Sequence, residues 1–376
     1  MKKYKYIDLV RTIAMFGVIL FHILLCFSKN PFWFVYADYE NDTAKYLCNI
    51  MNFTVVPIFV FCSGFLFQTS MQNKEISIPT TILKRTKRLL LPFLLYGLLW
   101  LVPTYTAFDI PTYGRPKGTS LIDGYKSMLL GQFCDVSWFL LMLFWVTIIW
   151  ILLRNLLKKE HFIIGSVVAA ALFFAVHYML SGVNYYSINQ IDIYLVIFFA
   201  GASFFWIADK INKLPFPVLM SISVSGIAVC TVLTPYTSSH YWLYCVLAMA
   251  MPFFMVILAM WICKLKLYSH TENFRIYKWL LKHNMDIYLL QAPGIYLSFL
   301  LFYPLVGQHC ALCVTTSYIF AIVIDFILVI ILTYIRKALS WLYKVLRKAD
   351  WYLWKCTLTE KWQFHKLQFC ISRNIL

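Results

Sequence analysis

The chain has 376 residues, of which 61% are hydrophobic and only 13% carry a charge. A soluble globular domain has about 45–50% apolar and about 25% charged residues, so this composition excludes a soluble enzyme. It also excludes a disordered chain, because there is far too much apolar material to leave unburied. The composition therefore predicts an all-α fold, a polytopic transmembrane helical bundle.

Ten hydrophobic runs follow one another along the chain. A membrane span needs about 20 predominantly apolar residues, and the runs have about that length. They cover residues 10–27, 46–67, 89–108, 136–153, 162–180, 188–206, 216–233, 241–263, 280–303 and 310–335. Arg11 and His22 interrupt the first run and no small-residue cleavage site follows it, so we interpret it as a span and not as a signal peptide. We predict about ten spans within a transmembrane domain of residues 1–335.

The distribution of positive charge predicts how these spans are oriented. The net charge is +17, and all but five of the 33 lysines and arginines fall in the terminal segments and in every second connection. The five on the opposite side are Lys29, Lys45, Arg115, Lys117 and Lys126. Because cytoplasmic connections carry the excess of Lys and Arg, both termini are predicted to be cytoplasmic. The excess of Lys and Arg is explained by its role in orienting the spans and by its contact with anionic lipid. We therefore predict no nucleic-acid partner.

Two stretches outside the spans have a composition of their own. The segment 108–135 is the longest predicted extracytoplasmic loop. The segment 336–376 mixes aromatic and aliphatic residues with Lys and Arg, which favours a basic amphipathic cytoplasmic tail on the inner leaflet. Cys310 and Cys313 form a single pair with only His309 nearby, whereas a zinc site needs about four ligands, so we predict no metal.

The first run carries three polar residues, Asp8, Arg11 and His22. Eleven helical residues turn through about 1100° and rise about 16 Å, so Arg11 and His22 lie on one face, one above the other. Asp8 precedes Arg11 by three residues and is expected to pair with it. Ionisable residues within a span are functional-site candidates. A snorkelling arginine and a histidine bonded to a neighbouring helix would explain them equally well.

Two further clusters lie at the predicted cytoplasmic face. Ser63 and Gly64 end the second run, where small residues are typical of close helix packing. The stretch 84–88 reads Lys-Arg-Thr-Lys-Arg. It is either a cluster that only sets the orientation or a clamp for a phosphorylated ligand, since arginine forks bind phosphate through two hydrogen bonds.

Seven short motifs occur in a fixed order along these spans. They are Asp-x-x-Arg at Asp8 and Arg11, Arg-x10-His at Arg11 and His22, Phe-Cys-Ser-Gly-Phe at 61–65, Arg-x-x-Arg at Arg85 and Arg88, Ser-Trp-Phe-Leu at 137–140, Phe-Phe-Ala-Gly at 198–201 and Asn-Met-Asp-Ile-Tyr-Leu at 284–289. In this order they resemble the acyltransferase-3 family of integral membrane acyltransferases. Many members have His where this chain has Gln291, which leaves the role of that position open.

The resemblance implies an O-acyltransferase of surface polysaccharides and related acceptors in the plasma membrane of a bacterium. The implied donor is cytoplasmic acyl-CoA, acetyl-CoA by default, with no tightly bound cofactor. The implied acceptor is a hydroxyl of an extracytoplasmic or lipid-linked glycan. The site residues on this interpretation are His22, Arg11 and Asp8 for catalysis, Arg85, Arg88, Lys84, Ser63 and Gly64 for the donor, and Trp138 and Gln291 for the substrate cavity.

Transfer from a thioester to an alcohol requires a base and a group that stabilises the oxyanion. We assign His22 as the general base, with a transient acyl-histidine as the alternative. Arg11, held by Asp8, is expected to orient the donor or to balance its pyrophosphate charge.

Other polar residues and other functional classes also fit the sequence. His177 and Asp192 fall near the outer ends of two spans, and Asp325 is expected to have a partner inside the bundle. A transporter or flippase for a polysaccharide precursor or an acylated product would also use buried charges, although the two halves show no matching interrupted helices. A purely structural membrane protein would not explain the stripe on the first helix. The sequence names neither the acceptor nor the oligomeric state.

Overall fold

The computed structural model describes residues 4–28, 35–71, 77–110, 116–133, 135–153, 161–180, 185–271 and 273–373. Every regular element in these ranges is a helix, and none of the described residues forms a strand. A helix satisfies its backbone hydrogen bonds within one segment, which is what a bilayer requires. The all-α prediction is confirmed.

The helices have the following bounds. They are α1 (Lys5–Leu25), α2 (Asp42–Asn52), α3 (Val55–Met71), α4 (Ile78–Arg85), α5 (Leu91–Tyr96), α6 (Val102–Ala107), α7 (Leu121–Leu129), α8 (Trp138–Leu152), α9 (Phe162–Leu180), α10 (Ile191–Asn212), α11 (Phe216–Leu233), α12 (Tyr241–Cys263), α13 (Lys266–Thr271), α14 (Arg275–Val306) and α15 (Cys310–Arg373). Short 3₁₀ turns occur at Asp135–Ser137, Ile188–Gln190 and Thr234–Ser238.

The ten hydrophobic runs all lie on these helices. In the described part of the chain, eight helical stretches are long and apolar enough to cross a membrane: Lys5–Leu25, Asp42–Met71, Ile78–Ala107, Ile191–Asn212, Phe216–Ser238, Tyr241–Cys263, Arg275–Val306 and Cys310–Lys344. Helix α8 is apolar but shorter, with 15 residues, and α9 coincides with the fifth run. The polytopic membrane architecture is confirmed, whereas the count of ten spans and the cytoplasmic termini stay predictions.

The third span changes its helical pitch twice, each time just before a proline. Thr86–Leu90 and Gly97–Leu101 are π-helical turns, and Pro92 and Pro103 stand in the first turn of the α-helices that follow them. A proline lacks the N–H, and its ring clashes with the carbonyl four residues back. A π turn is wider than an α-helical turn, so it moves the proline ring away from that carbonyl. The first π turn contains part of the cationic run, so its side chains leave the helix at angles that a regular α-helix would not give.

Helices α3 and α10 pack together through a pair of glycines. A Cβ added at Gly64 would overlap the backbone carbonyl of Phe198, and a Cβ added at Gly201 would overlap that of Phe61. Each glycine thus admits the backbone of the other helix, as small residues do between membrane helices. The packing interpretation of Gly64 fits this contact, and α10 holds the part of α3 that carries the predicted site residues.

Helix α1 extends between two aromatic clusters. Near its first turn Tyr6 packs against Phe65 of α3, with ring centres 6.1 Å apart. Just after its last turn Phe27 packs against Phe299 of α14 at 5.8 Å. We call these the Lys5 end and the Leu25 end of the bundle. The charge distribution predicts that the Lys5 end is cytoplasmic.

Helix α15 runs without interruption from Cys310 to Arg373. The chain divides into two compact units, Met1–Val323 and Ile324–Leu376, and the division falls inside this helix. The tail predicted from the sequence, 336–376, begins on the same helix. Its amphipathic and cytoplasmic character stays a prediction.

Replacing Gly201 by Ala is expected to destabilise the bundle, because the added methyl group overlaps a backbone carbonyl that has no rotamer to change. The loss should be about 1–3 kcal/mol, as for overpacking of a close-packed core. Gly17→Ala is the matched control, since its methyl group meets a side-chain methyl of Val55, at 2.8 Å, and not a backbone atom. Thermal unfolding in detergent measures both variants. Equal unfolding midpoints would contradict the predicted role of the contact.

Candidate active site

His22 is hydrogen-bonded to a side chain of another helix. Its Nδ1 lies 3.3 Å from Oε1 of Gln291 on α14. The amide nitrogen of Gln291 donates to the carbonyl of Tyr288 at 3.0 Å, and the Gln291 side chain is fully buried. The structure therefore brings the residue whose role the sequence left open to the residue predicted to be the base.

This bond decides which nitrogen of a neutral His22 carries the proton. The amide nitrogen of Gln291 faces the Tyr288 carbonyl, so the amide oxygen faces His22. An oxygen acceptor requires a donor, and Nδ1 must therefore carry the hydrogen. The lone pair of the neutral ring is then on Nε2, which makes Nε2 the atom that can accept a proton from a substrate.

Tyr288 supports this arrangement from a second side. Its hydroxyl donates to the carbonyl of Val136 at 2.8 Å, which joins α14 to the turn before α8. Its ring packs against Phe59 and Phe139, with ring centres 6.1 and 5.6 Å apart. The sequence includes Tyr288 in a family motif but gives it no role. Its spacing of three residues from Gln291, which places both on one helix face, was the available signal.

Trp138 begins α8 on the same side of the bundle as the His22–Gln291 pair. Its ring is partly exposed and lies 5.8 Å from that of Tyr194 on α10. Two residues earlier, Val136 accepts the hydrogen bond from Tyr288. The placement of Trp138 is compatible with a substrate cavity, and that role stays a prediction.

Three arginines from two segments converge at the Lys5 end. Arg88 lies within electrostatic range of Arg11, and Arg85 lies within range of Arg88. The guanidinium of the half-buried Arg85 is 5.7 Å from the ring centre of Phe67, whereas Arg88 and Lys84 are exposed. Like charges that interact in this way repel each other, and an anionic ligand with several oxygens would relieve the repulsion.

The first turns of α1 face the part of α3 that carries the other predicted donor residues. Asp8 and Arg11 both lie within electrostatic range of Cys62. The hydroxyl of Ser63 donates to the carbonyl four residues back at 2.7 Å, and Gly64 packs against α10. The contact of Ser63 and Gly64 with a donor stays a prediction, as does the ion pair between Asp8 and Arg11.

A second polar cluster, at the Leu25 end, was not predicted as a unit. The sequence places His177 and Asp192 near the ends of two adjacent spans without pairing them. In the structure Nδ1 of His177 lies 2.9 Å from Oδ2 of Asp192. Asp325 is fully buried, and neither of its carboxylate oxygens has a hydrogen-bond partner among the described residues. The partner expected for Asp325 is therefore not found in that part of the chain.

The comparison with protein families decides the class of the molecule. The family model described as an acyltransferase domain, that of acyltransferase-3, matches residues 4–336. The chain belongs to the acyltransferase-3 family. No curated protein and no solved structure matches it. The protein is thus a multi-pass membrane acyltransferase, and its matched region contains His22, Gln291 and the convergent arginines.

In this acyltransferase we expect Gln291→Leu to reduce turnover, because the variant keeps the side-chain volume but loses the acceptor that holds the hydrogen on Nδ1. The expected loss in kcat is about 10- to 100-fold, a part of what a well-placed base contributes. Ser298→Ala on the same helix is the matched control, since that buried hydroxyl donates to the carbonyl of Ile295 within its own helix. Steady-state acyl transfer by purified protein measures both. A folded Gln291→Leu protein with unchanged kcat would show that this bond does not orient the base.

Proposed function

We propose that the protein is an O-acyltransferase of a bacterial plasma membrane. It moves an acyl group, acetyl by default, from cytoplasmic acyl-CoA to a hydroxyl of an extracytoplasmic or lipid-linked glycan. The observation that carries this proposal is the hydrogen bond from His22 to Gln291. This bond leaves the lone pair of a neutral His22 on Nε2, where it can accept a proton. His22 also shares α1 with Arg11, a cation that can face the donor.

The reaction needs one proton acceptor and returns the proton at its end. His22 Nε2 takes the proton of the acceptor hydroxyl while the oxygen forms a bond to the thioester carbon and the carbonyl electron pair moves onto its oxygen. When the carbonyl re-forms, the C–S bond breaks and the proton passes from His22 to the sulfur of CoA. The products are the ester and the free thiol. The alternative, in which the acyl group rests on His22 first, uses the same nitrogen as nucleophile.

The donor would bind at the Lys5 end. Arg85 interacts electrostatically with Arg88, and Arg88 with Arg11, so a ligand with several phosphates could meet all three, and Lys84 is exposed next to Arg85 in the sequence. The helical rise from Arg11 to His22 is about 16 Å, so a nucleotide bound at the arginines would need an extended arm to reach the base. The pantetheine arm of CoA is such a chain. On this proposal Asp8 holds Arg11, and Ser63 and Gly64 border the donor.

Replacing His22 by Ala is expected to abolish acyl transfer while donor binding and folding are retained. A general base acts on the transition state much more than on donor affinity, so the rate should fall about 10²–10⁴-fold. Size-exclusion behaviour, acyl-CoA affinity and turnover of the same preparation separate this from a packing role. A histidine that only bonds a neighbouring helix would lose stability and activity together. Near-normal turnover by well-folded protein would refute the mechanism.

Replacing Arg85 and Arg88 by Ala should weaken binding of acetyl-CoA more than binding of acetyl-pantetheine. A phosphate clamp contributes only where the ligand carries the phosphates, and each charged hydrogen bond is worth about 1.5–3 kcal/mol. Lys87→Ala in the same exposed run is the control for a general loss of positive charge. Equilibrium binding of both thioesters measures the difference. Equal losses for the two ligands would mean that the arginines serve orientation or structure.

A further inference from the structure

A buried carboxylate organises the polar cluster at the Leu25 end. Asp192 is only 4% exposed, and both of its carboxylate oxygens have hydrogen-bond partners. Oδ2 lies 2.9 Å from His177 Nδ1 and accepts from the Tyr241 hydroxyl at 3.2 Å, while Oδ1 accepts from the backbone N–H of Ile193 at 2.7 Å. Three helices, α9, α10 and α12, therefore meet at one carboxylate. A buried carboxylate with this many donors is held in a fixed position.

His177 and Tyr241, which are bonded to Asp192, belong to a row of nearly parallel rings. His177 stacks on Tyr241, with ring centres 5.3 Å apart and planes at 24°. Tyr241 stacks on Tyr244 at 6.1 Å and 14°, and Phe173 stacks on the other side of His177 at 6.0 Å and 13°. The row runs from α9 to α12. It gives this end of the bundle a column of stacked rings, which we call the aromatic wall.

A cavity of about 440 Å³ opens against the end of this wall. A cavity of this size is in the range that holds a small molecule. Every side chain that lines it carries a hydroxyl group: Thr237, Ser238, Ser239, Tyr241 and Tyr244. None of these five residues is charged, so the lining offers nothing that would favour an anion such as a phosphate.

Three of the five hydroxyls that line the cavity donate hydrogen bonds within the protein. Thr237 donates to the carbonyl of Thr234 at 2.7 Å, and Ser238 donates to that of Pro235 at 3.1 Å. Tyr241 donates to Asp192. Because their hydrogens are already used, these oxygens present lone pairs to a ligand. A ligand that brings its own O–H donors complements them.

The cavity is connected to the candidate active site by buried tyrosines. Tyr194 is buried, and its hydroxyl lies within electrostatic range of Tyr244, Tyr288, Asp192 and Tyr241. Tyr288 in turn provides the carbonyl that orients Gln291 beside His22. The electrostatic interactions of Tyr194 therefore extend from the residues at the cavity to the residue that orients Gln291.

We propose that this cavity, at the 3₁₀ turn Thr234–Ser238 and the start of α12, binds a pyranose ring of the acceptor. The proposal rests on the proposed acyl transfer to a glycan and names its acceptor subsite. A pyranose has an apolar face of C–H groups, which packs on the negative face of an aromatic ring such as that of Tyr244 at the end of the row, and a rim of hydroxyl donors. Asp192 acts as a positioning residue, because it holds Tyr241 and His177 and does not itself line the cavity.

Filling the cavity tests the proposal directly. Membranes that carry the protein would be given radiolabelled acetyl-CoA, and label would be counted in organic-soluble glycolipid and in water-soluble polysaccharide. Ser238→Phe is expected to lower the label in glycan at least about tenfold through steric clash, while purified protein keeps its affinity for acetyl-CoA. Ser225→Phe, the same substitution at an exposed position of α11, is the control and should label glycan like the unaltered protein. The fraction that carries the label tells whether the sugar is lipid-linked or free.

A second variant keeps the aromatic wall and removes only the hydrogen bond from Tyr241 to Asp192. Tyr241→Phe leaves the ring but releases Asp192, and it should raise the KM for the glycan about fivefold, the effect of one hydrogen bond, with kcat little changed. A purely structural role for the cluster would lower kcat and stability instead. Glycan labelling by folded Ser238→Phe protein within twofold of the unaltered protein would overturn the acceptor subsite. Failure of the unaltered protein to bind acetyl-CoA or to label any glycan would overturn the proposed function itself.

Discussion

The absence of water inside a bilayer is the constraint on which this molecule is built. A polar side chain within the span region has to find its partner in the protein. Gln291 does so with two bonds, to His22 and to the Tyr288 carbonyl, and it has no further freedom because it is fully buried. The same bonds that satisfy the amide determine the protonated nitrogen of the imidazole. In this protein, the bonds that satisfy a buried amide are the same bonds that would prepare the predicted base.

The two ends of the bundle differ in the kind of polar group that they present. Positive charge gathers at the Lys5 end, from α1 and from the segment that contains the first π turn. At the Leu25 end, hydroxyls line the cavity, and the carboxylate of Asp192 beside it is already hydrogen-bonded. An anionic and a neutral substrate would thus be separated before they meet. His22, on the helix that reaches both ends, lies where the two paths would join.

The helices that carry these groups differ in how tightly they pack and in how regular they are. At the α3–α10 contact the two glycines leave no room for even one methyl group. The relative position of these two helices is therefore closely restricted. The third span, in contrast, contains two π turns and two prolines, each of which weakens the regular ladder of hydrogen bonds. The arginines of the proposed donor site are thus carried on the less regular helix, whereas the predicted donor residues of α3 lie beside a rigid contact.

Much of the architecture and part of the site follow from the sequence alone, because they depend on properties local to one segment. Hydrophobic runs of membrane-spanning length predict the helices, and 3.6-residue periodicity places Arg11 and His22 on one face without any knowledge of the neighbours. The ordered motifs at Asp8–Arg11, 61–65 and 284–289 identify the family, which the match over residues 4–336 establishes.

The tertiary structure alone decided that Gln291 meets His22, across 269 residues, and that His177 and Tyr241 both bind Asp192. The physical reason is that such contacts depend on how helices rotate and pack against one another, and that rotation is set by shape at places such as Gly64 and Gly201, which no single segment encodes.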